Sequence, residues 1–298
     1  MTYSIVARDP ETGAFGVAVQ SHYFSVGSAV PWVEAGVGAV ATQAFAEISY
    51  GPLGLARMRN GEPADGALDA LVAADAGAPT RQVGMVDNTG RAAAHTGAAC
   101  IPHAGHRAGP GWSVQANMMR KATVPDAMAE AYDRTAGDFL DRLLATLDAA
   151  EAEGGDVRGR QSAALLVSTG APDAPRAGAA LRFQVEDNDE PLVELRRLVR
   201  IHRGYQLLDA AFDRVQAGDF DDLVPALERA LAFAPESREI RFRLACSLTL
   251  FGDPRGRPML DELFAVNPGW RELIPRLATA GMIPDLPGVV ELLTGPGQ

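Results

Sequence analysis

The 298 residues carry 27 basic against 38 acidic side chains, a net charge of −11, and 47% of them are apolar. The acidic balance argues against a phosphate-backbone reader, for which a basic face is the first footprint, and the apolar share suits a packed core. No apolar run approaches the roughly 20 residues of a membrane helix, so neither nucleic acid nor membrane is expected as a partner.

The chain opens without the basic start and apolar core of a signal peptide. Its two cysteines, Cys100 and Cys246, lie far apart, so free thiols in a reduced cytoplasmic compartment are expected. The opening instead reads as a hairpin: strands over 3–8 and 14–20 flank the turn-like Asp9-Pro10-Glu11-Thr12-Gly13. Further strands are predicted over 38–43, 82–87, 91–96, 112–116, 162–168 and 180–187, with a second hairpin turn at Asp87-Asn88-Thr89-Gly90. Helical periodicity covers 50–59, 63–74, 124–135 and 138–153, where Leu140, Leu143, Leu144 and Leu147 form one apolar stripe. Strand pairs, helices, then strand pairs again point to an α+β fold rather than a repeating βαβ sheet.

From Glu190 onward the strand signal stops and Pro191 stands where a helix can begin. Gly218-Asp219 recurs as Gly252-Asp253, and Ala234-Pro235 as Asn267-Pro268, at a period of 33 to 34 residues. Stacked helix pairs, like tetratricopeptide repeats, are the expectation. The domain reading is therefore an α+β domain over 1–189 and an all-α region over 190–298.

Several polar groups could carry chemistry. Thr2 would become the first residue if Met1 were trimmed, setting its hydroxyl beside an α-amine of ordinary pKa about 7.7–8.0. Nucleophile and base within one residue suit attack on an amide carbonyl; the alternative is a threonine that merely starts a strand. The stretch "GGDVRGRQS" sets Asp156, Arg158, Gln161 and Ser162 at the mouth of a strand, where arginine forks could grip a carboxylate. A solvated loop with a surface ion pair is the other reading of it. "CIPHAGHRAGPG" brings Cys100, His103 and His106 together at three-residue steps, either as zinc ligands or as hydrogen-bonding side chains of an irregular loop. Asn117, at a strand end, could donate to an oxyanion, while Glu47 and His22 could orient an amine or a ligand.

The series "YSIVARDPETGAFGVAVQSHYFSVG", "VPWVEAGVGAVATQAF", "YGPLGLARMRNG", "TGAAC", "AGHRAGPGWSVQANMM" and "GGDVRGRQSAALLV" resembles the family known as domain of unknown function 1028, over about residues 1–200. That family is grouped with the N-terminal-nucleophile (Ntn) hydrolases. The resemblance implies a four-layer αββα sandwich of two antiparallel sheets, amide hydrolysis and no cofactor. With Thr2 as nucleophile, the residues themselves offer Asn117 for the oxyanion, unless it only forms a turn, and a small-molecule pocket drawn from His22, Glu47, His106, Asp156, Arg158, Gln161 and Ser162. Family members commonly carry a helical tail described as peptidoglycan-binding, which 190–298 resembles; self-association through the sandwich or the tail is also expected.

The chain departs from proteasome-like Ntn hydrolases, which have Asp where Gln20 stands and a lysine further on; here Lys121 is the single lysine. Support for the Thr2 amine would then fall to Ser21, His22 or Asn117. Two alternatives remain from the residues: a non-catalytic binding protein on the same sandwich, and a metal-assisted hydrolase using Cys100, His103 and His106.

Overall fold

The computed structural model describes residues 2–168, 181–284 and 286–295. Two compact units divide between Arg197 and Leu198.

The first unit begins with β1 (Thr2–Arg8) and β2 (Phe15–Ser21), joined by the turn expected from sequence. Asp9 Oδ2 accepts from the Thr12 amide and hydroxyl, and Gly13 takes a left-handed φ of 73° that a side chain would resist. Strands β3 (Pro31–Glu34) and β4 (Gly38–Ala44) follow, then helices α1 (Tyr50–Arg59) and α2 (Ala64–Ala74). Next come β5 (Arg81–Asp87), β6 (Ala92–Thr96), β7 (Gly105–Gly109) and β8 (Trp112–Asn117). Helices α3 (Val124–Arg134) and α4 (Phe139–Ala152) and strands β9 (Ser162–Val167) and β10 (Leu181–Val185) complete the α+β part.

Two antiparallel sheets result, one in the order β10-β9-β2-β1-β8-β7 and one in the order β3-β4-β5-β6. Their facing sides bury Val6, Val17 and Val19 against Ala39, Ala41 and Val86. Helices α1 and α2 cover the far side of the four-stranded sheet, where Leu55, Met58 and Leu68 meet Val40, Val83 and Met85. Helices α3 and α4 cover the far side of the other. Gly16 lies under α4 so closely that a Cβ there would come within 2.6 Å of Leu143 Cδ1.

Two strands lacked a clear signal. Pro31–Glu34 is short and opens on proline, which donates nothing to a ladder. Gly105–Gly109, in a stretch expected to be an irregular loop, is an edge strand against β8 with Arg107 and Ala108 exposed and no position fully buried. The expected start at residue 180 lies outside the described residues, as does Met1.

The second unit is helical. Helix α5 (Pro191–Gln216) leads into it, followed by α6 (Leu223–Phe233), α7 (Arg238–Leu250), α8 (Gly256–Val266), α9 (Gly269–Thr279) and α10 (Val289–Thr294). The recurring glycines have one cause: Gly218 and Gly252 stand just past α5 and α7 with φ of 80° and 75°, the left-handed cap that ends a helix. Leu227, Ala230, Ile240, Leu244 and Leu248 form its inner seam. Among the described residues no helix is long and apolar enough to cross a membrane.

Candidate active site

Strand alternation decides which side chains share the space between the sheets. Thr2, Ser4 and Val6 of β1 point toward the four-stranded sheet, while Tyr3 points the other way and donates to Glu151 of α4 at 2.7 Å. The inward positions of β4, β5 and β8 near this end carry amides: Gln43, Gln82, Gln115 and Asn117, all buried.

These amides form one connected ladder. Ser113 Oγ donates to Gln115 Oε1 (3.0 Å), Gln115 Nε2 to Ser4 Oγ (2.6 Å), and Ser4 Oγ to Gln43 Oε1 (2.7 Å). Gln43 Nε2 donates to Gln82 Oε1 (2.7 Å) and to the Thr2 carbonyl (3.2 Å). Gln82 Nε2 in turn reaches Thr96 Oγ1 at 2.9 Å, and that hydroxyl meets His106 Nδ1 at 2.9 Å. A network in which each member finds its partners rigidifies what it holds. What it holds here is the first strand residue.

Thr2 pairs with Asn117 across the β1–β8 ladder, and Asn117 Nδ2 donates to its carbonyl at 3.3 Å and to Gln82 Oε1 at 2.9 Å. The Thr2 hydroxyl lies 3.1 Å from Ser21 Oγ. Thr2 is 6% exposed, and that exposure opens on a cavity of about 410 Å³. Thr2, Ser21 and Gln43 make its polar floor; Val26, Ala29, Val30 and Ala44 its walls; Tyr23, Phe45 and Ile48 its rim.

Each rim segment is pinned from outside. Ser162 Oγ accepts from the Val26 amide (3.1 Å) and donates to the Tyr23 carbonyl (2.5 Å), and Asp156 Oδ2 accepts from the His22 amide (3.2 Å). On the other side Arg81 Nη1 donates to the Phe45 carbonyl (2.6 Å) while its Nε pairs with Asp75 Oδ2 at 2.9 Å. The hydrogen bond from Arg81 holds the Asp75 carboxyl below its ordinary range, and burial beside Asp75 pushes the Tyr50 phenol up to about 12. Ala44 leaves β4 with a left-handed φ of 68°, a conformation that costs an ordinary residue about 1–2 kcal/mol.

Of the residues singled out from sequence, Thr2 lines the cavity and Asn117 stands behind it. Asp156, Arg158 and His22 form a separate cluster in which the buried Asp156 carboxylate accepts from the Arg158 amide (2.9 Å) and pairs with Arg158 Nη2 (3.2 Å). Gln161 donates to Asp187 at 3.0 Å. Glu47 sits within the rim loop, where its carboxylate accepts the Ser49 amide at 3.1 Å; that bond lowers its pKa. His106 ends the ladder, its pKa lowered by burial and by Arg107 and His95.

Cys100 donates to the Arg81 carbonyl (3.3 Å) with its thiol pKa raised by burial, and His103 Nδ1 lies 3.2 Å from the Met119 carbonyl. Among the described residues no three His, Cys, Asp or Glu side chains are arranged to hold a metal, so Cys100, His103 and His106 are not assembled as ligands.

The glutamines and the rim escaped the reading of the sequence. One signal was there: Gln43, Gln82 and Gln115 each interrupt an apolar strand at an inward position, which a core tolerates only when partners exist.

A family model described as "Family of unknown function (DUF1028)" matches residues 2–195. The chain belongs to this family. The DUF1028 region holds both sheets, the ladder and the cavity. Among solved structures, the chain is similar to the crystal structure of the DUF1028 protein SPO2555 from Silicibacter pomeroyi. The two are 32% identical with a TM-score of 0.61, over 67% of this chain and 88% of that one. A comparison with curated proteins finds no match.

Proposed function

We propose that the DUF1028 region is a hydrolase of the Ntn type, built as a four-layer αββα sandwich and cleaving an amide-like C–N bond of a small molecule. The order helix pair, sheet, sheet, helix pair supports the architectural part. The observation that carries the chemical part is Thr2 itself. Its hydroxyl faces a closed-bottomed cavity, and its carbonyl is gripped by two side-chain amides, Gln43 and Asn117.

Trimming of Met1 frees the Thr2 amine. The amine takes the Oγ1 proton as Oγ1 attacks the substrate carbonyl carbon, the C–N bond breaks, and the leaving amine departs with that proton. Water then hydrolyses the ester, restoring the hydroxyl and releasing a carboxylic acid. Ser21 orients Oγ1, while Asn117 and Gln43 fix the backbone that carries both reacting groups. Preorganisation of this kind lowers the cost of reaching an attack geometry.

The test is intact mass of purified protein, followed by mass after exposure to an activated acyl ester. The reading expects loss of Met1 and a single acyl adduct on Thr2 that Thr2→Ala does not form. A retained Met1, or adduct formation that ignores the substitution, defeats it.

A second reading, a binding protein without catalysis, is favoured by one observation: among the described lining residues there is no lysine and no carboxylate beside Thr2. It expects ligand binding with no adduct in either protein.

A further inference from the structure

Thr2, Ser21 and Gln43 give the cavity a polar floor, and Arg81 and the Tyr23 hydroxyl are its other polar side-chain groups. Above Thr2, Ser21 and Gln43 the walls are valine and alanine, and three large apolar side chains, Tyr23, Phe45 and Ile48, stand 64%, 59% and 49% exposed around the mouth. Scattered exposed apolar residues are ordinary, but a ring of them round one concavity marks a binding site. The rim is also held still: Ser162 fastens the Tyr23 backbone and Arg81 that of Phe45. Ordering cost is thus met before any ligand arrives. Among the described lining residues the one ionic side chain is Arg81, already paired with Asp75 at 2.9 Å. A cationic ligand would find no carboxylate among these lining residues to replace its hydration.

We propose that the cavity takes amides whose acyl group is bulky, apolar and uncharged, with the amide seated on the polar floor; this rests on the reading that an amide is cleaved at Thr2. The acyl group fills the space between Val26, Val30 and the rim, and basic substrates are turned away.

Calorimetric titration of Thr2→Ala, which binds without turnover, tests this with three probes: N-phenylacetylglycine amide, N-acetylglycine amide, and the 4-aminomethyl derivative of the first. The phenylacetyl amide is expected to bind about tenfold or more tighter than either of the others, the scale of one buried apolar group. Adding Phe45→Ser and Ile48→Ser, both at exposed sites where thermal melting should be unchanged, is expected to erase that preference. Equal binding of all three, or a preference that survives the rim substitutions, overturns the proposal. So does a dimer in light scattering that the rim substitutions dissociate without any amide preference, which would give the rim to a second copy. Preference in Thr2→Ala with no cleavage by the wild type leaves this inference standing and removes the hydrolase reading. Cleavage of small polar amides without the preference does the reverse.

Discussion

Replacing Gln43 by leucine should cost this protein much of its folding stability. The side chain is 1% exposed; its carbonyl accepts from Ser4 and its amide donates to Gln82, Thr2 and the Gln115 carbonyl. Leucine is close in size, so the loss is polar rather than steric. The Ser4 hydroxyl loses its acceptor, whereas the Thr2 carbonyl and Gln82 Oε1 keep the bonds from Asn117. A buried hydroxyl proton left without an acceptor costs about 1–3 kcal/mol, while Ser4 Oγ keeps the bond from Gln115 Nε2, and each further bond contributes about 0.5–1.5 kcal/mol net. With three such bonds, to Gln82, Thr2 and Gln115, the sum is about 2.5–7.5 kcal/mol, against a typical domain stability of about 5–15 kcal/mol. Urea denaturation followed by circular dichroism measures it. Gln43→Glu adds a control: an ionised carboxylate cannot donate to Gln82 or to the two carbonyls, so this variant should regain stability as pH falls and the carboxyl protonates. A Gln43→Leu loss under about 1 kcal/mol would refute the claim that the ladder holds Thr2 in place.

Three other outcomes are expected. His106 has its pKa below the ordinary 6.5 through burial, Arg107 and His95, so between the two values the unfolded chain binds more protons and stability falls as pH drops through that window. His106→Gln should flatten the slope in denaturation between pH 7.5 and 5, and an unaltered slope rejects this. Both polar atoms of Gln20 are buried with no hydrogen-bond partner among the described residues, so Gln20→Met should raise stability by about 1–2 kcal/mol; a drop instead would reveal a resident bridging water. Ser162→Ala removes the acceptor of the Val26 amide, and hydrogen exchange there should quicken by about tenfold, about 1.4 kcal/mol of local protection. Unchanged exchange would mean that the loop stands without its clamp.

Local chemistry made much of the fold readable. The β1–β2 hairpin was visible because Asp9 and Gly13 are turn residues whose roles need only their neighbours. Helix α1 was legible from periodicity, and the paired glycines of the helical unit were legible as a repeat, though not as the caps they form. Strand β7 was hidden because an edge strand buries little and leaves no alternating pattern. Thr2 stood out through its position in the chain. Gln43, Gln82 and Ser21 did not point to one another, since a hydrogen bond between β4 and β5, or across to β1, is a long-range fact. Likewise Asp156 and Ser162 drew attention as possible ligand-binding side chains, yet both hold the backbone of residues 22–26, and Asp156 also holds Arg158.

The mouth and the base of the cavity answer to different constraints. At the base, any exchange of Gln43 or Asn117 breaks bonds that also keep two sheets in register. At the mouth, Tyr23, Phe45 and Ile48 stand largely in solvent on backbone tied down by other residues. Substituting them alters what can enter and leaves the fold nearly untouched.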